Sequence, residues 1–403
     1  MDAHFLSGKK IVVAGAGMAG LAFALSLEKL WPSNLDPPQI TVYERDTKAA
    51  AVGREGYSLS LAGFDETGGL AVLRDLGLID KILQAAILGM GDTGSFKIVR
   101  YKPAPGLPTS GIRIARKSLR NILIDAAEVA EVRWGMACVS AKKLLNGRVA
   151  VELAGESTSP ETATVECDVL IAADGASSKI RAALRPGDTL QYAGAILLGG
   201  MAAFPKGIPK PVDNNWGLLS SGKGVCCFVS PCDANSVVWS ISYRSSSMAT
   251  PLQSGDSDEL QSIKDEGKKI GSMFSEPFHT IVDATQGDIF CMNAKDKQPF
   301  RHDLAAGPII FIGDSNHAVS PFAGYGANLA LKDGWDLAKQ LCEANSLSEA
   351  LQGYDSMSVP RATKVLKSSH WRIDMGHATG LKHLFFRIFL AVGGFMLRIM
   401  NRS

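Results

Sequence analysis

Three glycines stand in the spacing Gly15-x-Gly17-x-x-Gly20, directly after the apolar run Ile11, Val12, Val13, and Glu44 closes the next apolar run, QITVYE. A strand can turn that tightly into a helix only at glycine. The helix then offers unpaired backbone N–H groups and its positive end to an anion. Read over Met18 to Leu30, this helix would hold a pyrophosphate, and Glu44 would accept hydrogen bonds from an adenosine ribose. Strand, glycines, helix and acid together make a dinucleotide-binding fingerprint. A second match, Gly89-x-Gly91-x-x-Gly94, follows helix-like sequence and precedes strand-like sequence, which is the wrong order, so it reads as a turn. One nucleotide site is expected.

The whole chain narrows the setting. Its 403 residues suit two domains rather than one core. Apolar content of 46% and charged content of 20% fit a folded soluble protein. A net charge of +2 without a long basic run argues against a nucleic-acid partner. The seven cysteines form no CxxC pair and no Cys/His cluster, so reduced thiols, no metal centre and a cytoplasmic setting are expected. The first strand begins too early for a secretion signal to precede it.

The elements that would position the site follow from periodicity. Residues 57–64 alternate like a strand, and 66–86 look helical with a stop at Leu76-Gly77-Leu78. IRIARKSLRNILIDAA turns a short strand into a helix that carries Arg116 and Arg120 four residues apart. Residues 165–185 repeat the strand–turn–helix theme around Asp174-Gly175. Between 188 and 285 the strand-like runs QYAGAILLGGMAAF, GVCCFVS and SVVWSISYR predict an antiparallel sheet, followed by a helix over 257–274. From 307 the parallel theme returns with GPIIFIGD.

The predicted class is α/β: a Rossmann-type nucleotide-binding domain with an inserted, mainly antiparallel β-sheet substrate domain and a C-terminal helix. Nucleotide-binding parts are expected at 1–74, 101–187 and 291–345. Substrate-domain parts are expected at 75–100 and 188–290, and a helical region at 346–403. Residues 381–400 are apolar for about the length of a membrane span. Lys382, His383, Arg387 and Arg398 interrupt them and should prevent spanning. A terminal helix packed across the domains, with Leu and Phe buried, is expected; an interfacial membrane contact is the alternative.

In this order, Gly15/Gly17/Gly20 with Glu44, Arg116 in IRIARKSLR, AADGASSKIR at 172–181 and IGDSNHAVSPFAGYGANLALKD at 312–333 resemble the single-component FAD-dependent aromatic hydroxylases, the p-hydroxybenzoate hydroxylase group. The resemblance runs from about residue 9 to 345. SPFAGYGAN is most similar to flavin monooxygenases that inactivate tetracyclines and to related fungal enzymes. It implies noncovalent FAD, reached by Arg116 and by a loop containing Arg54 and Gly56. Asp174-Gly175 would touch the pyrophosphate region and serve NADPH or NADH, and Asp314 would accept hydrogen bonds from the ribityl chain.

Gly324 and Gly326 would let backbone approach the isoalloxazine, and the helix from Ala327 would aim its positive end at the N1–C2=O edge. His317 is read as a hydrogen-bonded supporting residue rather than a base, and Arg120 as structural. Tyr325 departs from the Gln or Leu usual between the two glycines. A single fingerprint sets the chain apart from flavin monooxygenases with two Rossmann domains. The absence of a Trp-x-Trp-x-Ile-Pro segment sets it apart from flavin halogenases.

The implied reaction consumes NAD(P)H and O₂ and hydroxylates an electron-rich small molecule (a phenol, indole or polyketide-like enol) through a flavin C4a-hydroperoxide. It would occur in a dry pocket between flavin and inserted sheet. Epoxidation, Baeyer–Villiger insertion and a non-oxygenating FAD reductase stay open. No side chain is identified as catalytic. Tyr243, Arg244 and Tyr325 are the candidates for substrate contact.

Overall fold

The apolar run before the first glycine is β1 (Lys10–Ala14), and the glycine turn leads into α1 (Met18–Leu30) and β2 (Gln39–Glu44). From Ile11 onward β1 is buried, as a central parallel strand covered on both faces must be. The structure, a computed structural model, describes residues 4–53, 57–89, 102–127, 131–155, 162–253 and 257–400. Arg54 and Gly56, and Gly91 and Gly94 of the second glycine pattern, lie outside the described residues.

Next come α2 (Lys48–Gly53), β3 (Ser58–Ala62), the short helices α3 (Gly69–Asp75) and α4 (Ile79–Gln84), and β4 (Ala86–Gly89). Gly77, at φ 80°, separates the two helices where the Leu-Gly-Leu signal predicted a stop. The helix-like stretch gives way to a strand at Ala86, because its last residues pair with β5 (Gly111–Ala115). That strand runs without a loop into α5 (Arg116–Ala126), and β6 (Glu131–Trp134) follows. Strands β7 (Met136–Lys143), β8 (Val149–Gly155) and β9 (Thr162–Cys167) form a small antiparallel sheet before β10 (Val169–Ala172) and α6 (Lys179–Leu184).

The middle of the chain is the expected antiparallel sheet. It holds β11 (Gln191–Ala203), β12 (Gly217–Ser220), β13 (Val225–Pro231), β14 (Ser236–Arg244), β15 (Leu252–Gln253) and β16 (Thr285–Asp296). Their order is β12-β13-β14-β11-β16-β15. One face of this sheet is covered by α7 (Ser257–Ile270) and α8 (Phe278–Asp283), whose Ile263, Phe278 and Ile281 pack with Trp239 and Ile241.

The chain then returns to the first sheet through β17 (Ile309–Phe311). All pairings in that sheet are parallel, in the order β17-β10-β1-β2-β6. Four helices complete the fold: α9 (Asp314–His317), α10 (Gly326–Glu343), α11 (Leu347–Gly376) and α12 (Gly380–Met400). The core joins α1, α5 and α10 around Phe23, Leu27, Leu119, Leu123, Leu331 and Leu337.

α12 corrects one expectation. The helix forms, but it does not bury its apolar residues. Leu381, Phe385 and Phe395 are 75%, 70% and 64% exposed, because little of α12 meets the body of the protein. Among the described residues no helix is long and apolar enough to cross a membrane.

Candidate functional site

β1, β10 and β17 are neighbours and parallel, so the loops leaving their C-terminal ends converge at one edge of the sheet. Those loops carry Gly15, Gly17 and Gly20, then Asp174, then Asp314. Their closeness is measurable. A Cβ on Gly15, which sits at φ 105°, would lie 2.6 Å from the Ala173 carbonyl oxygen, and one on Gly20 would lie 2.1 Å from that of Gly15. A Cβ on Gly17 would meet nothing within 4 Å. The first and third glycines therefore serve packing, and the middle one borders open space at the start of α1, which has no side-chain cap.

Glu44 is buried at the end of β2, and its Oε2 accepts the Ala16 N–H at 2.8 Å while Oε1 accepts that of Asp46 at 3.1 Å. Arg120, also buried, pairs with Glu44 at 3.2 Å and Asp46 at 3.4 Å and donates from Nε to the Ala16 carbonyl. The acid of the fingerprint and the arginine expected to be structural thus clasp the glycine loop from below. Oε1 of Glu44 keeps a lone pair for a ribose.

Asp174 leaves its Oδ1 buried without a partner among the described residues, and Oδ2 accepts the Ile180 N–H at 3.3 Å. Burial pushes its carboxyl up, against hydrogen bonds from Ser178 and Ile180 that favour the charge. Arg181, unremarked in the sequence beyond its motif, joins two of these loops. It donates to the carbonyl of Ala176 beside Asp174, and to that of Ser315 at 2.8 Å beside Asp314.

Asp314 opens α9 with its side chain accessible in a deep recess. The crowding of protein around it raises its carboxyl, although His317, Arg116 and Arg181 pull the other way. Arg116, at the start of α5, donates its backbone N–H to the Tyr57 carbonyl at 3.3 Å, and its guanidinium charge acts on Asp314.

The fourth wall is the turn before α10. Gly324 is left-handed at φ 59°, and the helix starts at Gly326 and Ala327 with Tyr325 at its cap position and no side-chain cap. Two helix N-termini, those of α1 and α10, therefore end with free backbone N–H groups. The helices pack together, since Gly313 before Asp314 lies between Ala19 of α1 and Ala330 of α10. Asn328 ties the same turn to β3, accepting the N–H groups of Ala62 and Gly69 and donating to the Ser60 carbonyl at 2.9 Å.

Behind α9 lies a buried cluster that sequence reasoning missed. Asp333 accepts the Gly313 N–H at 2.9 Å, His317 Nε2 at 2.7 Å and Arg361 at 3.0 Å. Arg361 also holds Asp336 at 2.7 Å. Burial alone would raise the Asp333 carboxyl, but His317 and Arg361 hold it well below the usual carboxylate range. Asp333 ended the motif quoted above, yet nothing local marks Arg361, which comes from α11. His317 is the supporting residue expected of it.

The candidates for substrate contact separate. Tyr325 stands at the recess, its hydroxyl pushed up to about 12 by burial, near Asp65 and Thr67. Tyr243 corrects the expectation: it shares the β14 face of Trp239 and Ile241, which packs on α7, the side away from the recess. Arg244 lies on the opposite face but is exposed and paired with Asp374 of α11. The sheet face toward the turn of α10 is instead formed by Ala195, Leu197 and Ala294 against Phe322 and Ile373. His377 packs edge-on to Phe322 and bonds Ser242 at 2.9 Å. Its Nδ1 meets the Ile373 carbonyl at 2.7 Å, so Nδ1 carries the proton and Nε2 accepts from the serine. Burial lowers its pKa, which favours that neutral ring.

Arg113 of β5 is the other missed residue. It is 5% exposed, lies over Trp216 and Phe228 at 5.5 Å, and hydrogen-bonds Ser58, Ser60 and Ser230. Burial pushes its guanidinium down to about 10, and no carboxylate faces it among the described residues. It sews β3 and β5 to the antiparallel sheet.

Among the described residues, those present fit a dinucleotide cofactor: an open cradle at Gly17, two helix ends without a side-chain cap, an orphaned Asp174 oxygen and an Arg116 whose charge acts on Asp314. Comparison with known proteins agrees. The profile of the family described as FAD binding domain matches residues 9–369. Monooxygenase cfoF of Aspergillus candidus is 43% identical over 394 residues, covering 94% of each chain. Klebsiella pneumoniae HpxO, solved with FAD and uric acid, superposes with a TM-score of 0.74 at 18% identity over 98% of this chain and 97% of its own. Tetracycline destructase Tet(55) gives 0.68 at 19% identity, covering 97% of both.

Proposed function

The chain belongs to the FAD-binding-domain family of FAD-dependent monooxygenases, and from that premise we propose that it uses NAD(P)H and O₂ to oxygenate an electron-rich aromatic or enol-containing small molecule. The observation that carries this reading is the convergence of two uncapped helix N-termini, α1 and α10, on one recess that also holds Asp314 and Arg116. FAD, when bound, supplies the electron-transfer and oxygen-transfer chemistry. Gly17 and the N-terminus of α1 would cradle its pyrophosphate, in a turn that Gly15 and Gly20 close by packing; Glu44 would take the ribose, and Arg116, Asp174 and Asp314 would hold polar groups along its length. Gly324, Gly326 and Ala327 bring bare backbone to the ring, where a helix N-terminus stabilises negative charge by roughly 0.3–2 kcal/mol.

The substrate would lie beside the α10 turn, whose Phe322 packs on the apolar face of Ala195, Leu197 and Ala294. That face is apolar, so it excludes water. His377, held neutral, orients Ser242 as the nearby hydroxyl.

Purified protein loaded with FAD should consume NADPH or NADH faster when phenolic or enolic compounds are added, and the product should gain one oxygen by mass. Unchanged consumption with every such compound and no oxygenated product would return the chain to the reductase reading.

A further inference from the structure

Among the described residues, nine large apolar side chains of α12 are exposed: Leu381, Leu384, Phe385, Ile388, Phe389, Leu390, Val392, Phe395 and Met396. Such a contiguous apolar patch marks an interaction surface. Their placement is ordered. At about 100° per residue, Leu381, Leu384, Ile388, Val392 and Phe395 gather on one side of the helix. His383 and Phe386 lie on the opposite side and make its attachments. His383 reaches Ser220 at 3.4 Å, and Phe386 meets Trp371 edge-on at 5.7 Å.

Charge completes the pattern. Lys382 and Arg387 are both exposed and stand about 100–120° to either side of the centre of the apolar face. Residues 377–403 contain no Asp or Glu, whereas Lys382, Arg387, Arg398 and Arg402 are all basic. An outward apolar stripe bordered by cations, on a helix that is not long and apolar enough to cross a membrane among the described residues, is the arrangement that lies in the headgroup layer of a bilayer. Long basic side chains at the borders reach the phosphates while their stems stay with the acyl chains.

We propose that α12 docks this protein on the surface of an anionic phospholipid bilayer. A groove of about 380 Å³ lies on the inner side of α12, bounded by Leu218 and Cys226 of the sheet, Trp371 and Arg372 of α11, and Phe386 and Leu390 of α12. Arg372 of that groove donates to the carbonyls of Phe322 and Ala323 in the turn before α10.

The test uses the full-length, FAD-loaded protein and flotation with phosphatidylcholine vesicles, with and without phosphatidylserine. Binding should be strong only with phosphatidylserine at low salt, and should fall as salt is raised. Arg387→Ala should weaken it about fivefold, and Phe385→Asp about tenfold or more, with flavin absorbance unchanged in both. Absence of binding to phosphatidylserine vesicles would overturn the proposal. So would vesicle-independent self-association that Phe385→Asp dissolves, because the face would then belong to a second copy of the chain. Neither readout depends on turnover, so the oxygenation reading stands or falls separately.

Discussion

His317 loses water and gains an acid at once, and the acid wins. Burial is the largest influence and would lower the imidazolium pKa, but the charge and hydrogen bond of Asp333, aided by Asp314, raise it above its ordinary 6.5. A raised histidine contributes stability that is fully present below pH 6.5 and is lost as pH climbs through the folded-state value. Asp333 is the converse: its contribution is present above pH 3.8 and is lost only as pH falls through its depressed value. The wild-type melting temperature should therefore decline above pH 6.5 by an amount that His317→Gln removes, while the acid limb persists. Melting curves of both proteins across pH check this, and an unchanged alkaline slope in the variant would place its origin elsewhere. Asp314 offers a simpler test. Asp314→Ala deletes a carboxylate acceptor that a bound flavin would cover, at a cost of about 1–3 kcal/mol to that flavin. The ratio of absorbance near 450 nm to that at 280 nm (about the flavin and protein maxima) should fall steeply after purification, and full occupancy would refute the assignment.

The glycine turn between β1 and α1 separates folding from binding within six residues. Gly20→Ala would drive a methyl into the Gly15 carbonyl at 2.1 Å, so the protein should lose stability before any cofactor is considered. Gly17→Ala meets open space at φ −85°, so the flavin-free protein should melt within a degree or two of wild type. Its FAD affinity should nevertheless fall, by about tenfold or more, because the methyl occupies the pyrophosphate cradle. Titration of stripped protein with FAD separates the two effects. This turn was legible in sequence because its information is local: three glycines, the strand before them and the acid after the next strand. The same holds for the antiparallel strands, whose alternation survives in SVVWSISYR, and for the start of α10 after Pro321. What was not legible depends on distant partners. Arg361 joins Asp333 from 28 residues on, Arg113 finds Ser230 from 117 residues away, and Tyr243 faces α7 for reasons of sheet register.

At the scale of the molecule, two seams hold the parts together and α12 belongs to neither. Arg113 with its serines joins β3 and β5 to β13, and α11 joins the parallel sheet to the antiparallel one through Arg361, Arg372, Ile373 and His377. Hydrophobicity in residues 381–400 predicted a helix and its avoidance of water, but periodicity does not say what covers an apolar face. In the structure the body of the protein leaves most of that face bare. Among the described residues α12 is attached by two aromatic edges on Trp371, itself exposed, and by His383, which meets Ser220 and lies against Gly222. None of these residues touches the recess at Asp314. Chain truncated after Gly380 should therefore retain FAD at the wild-type absorbance ratio, melt within a few degrees of full-length protein, and be more soluble because exposed Leu and Phe are gone. Gel filtration and the flavin spectrum of the truncated protein decide the matter. An aggregated, flavin-poor product would mean that α12 closes a core it scarcely contacts here. A soluble yellow one would leave the helix free for a surface outside the protein.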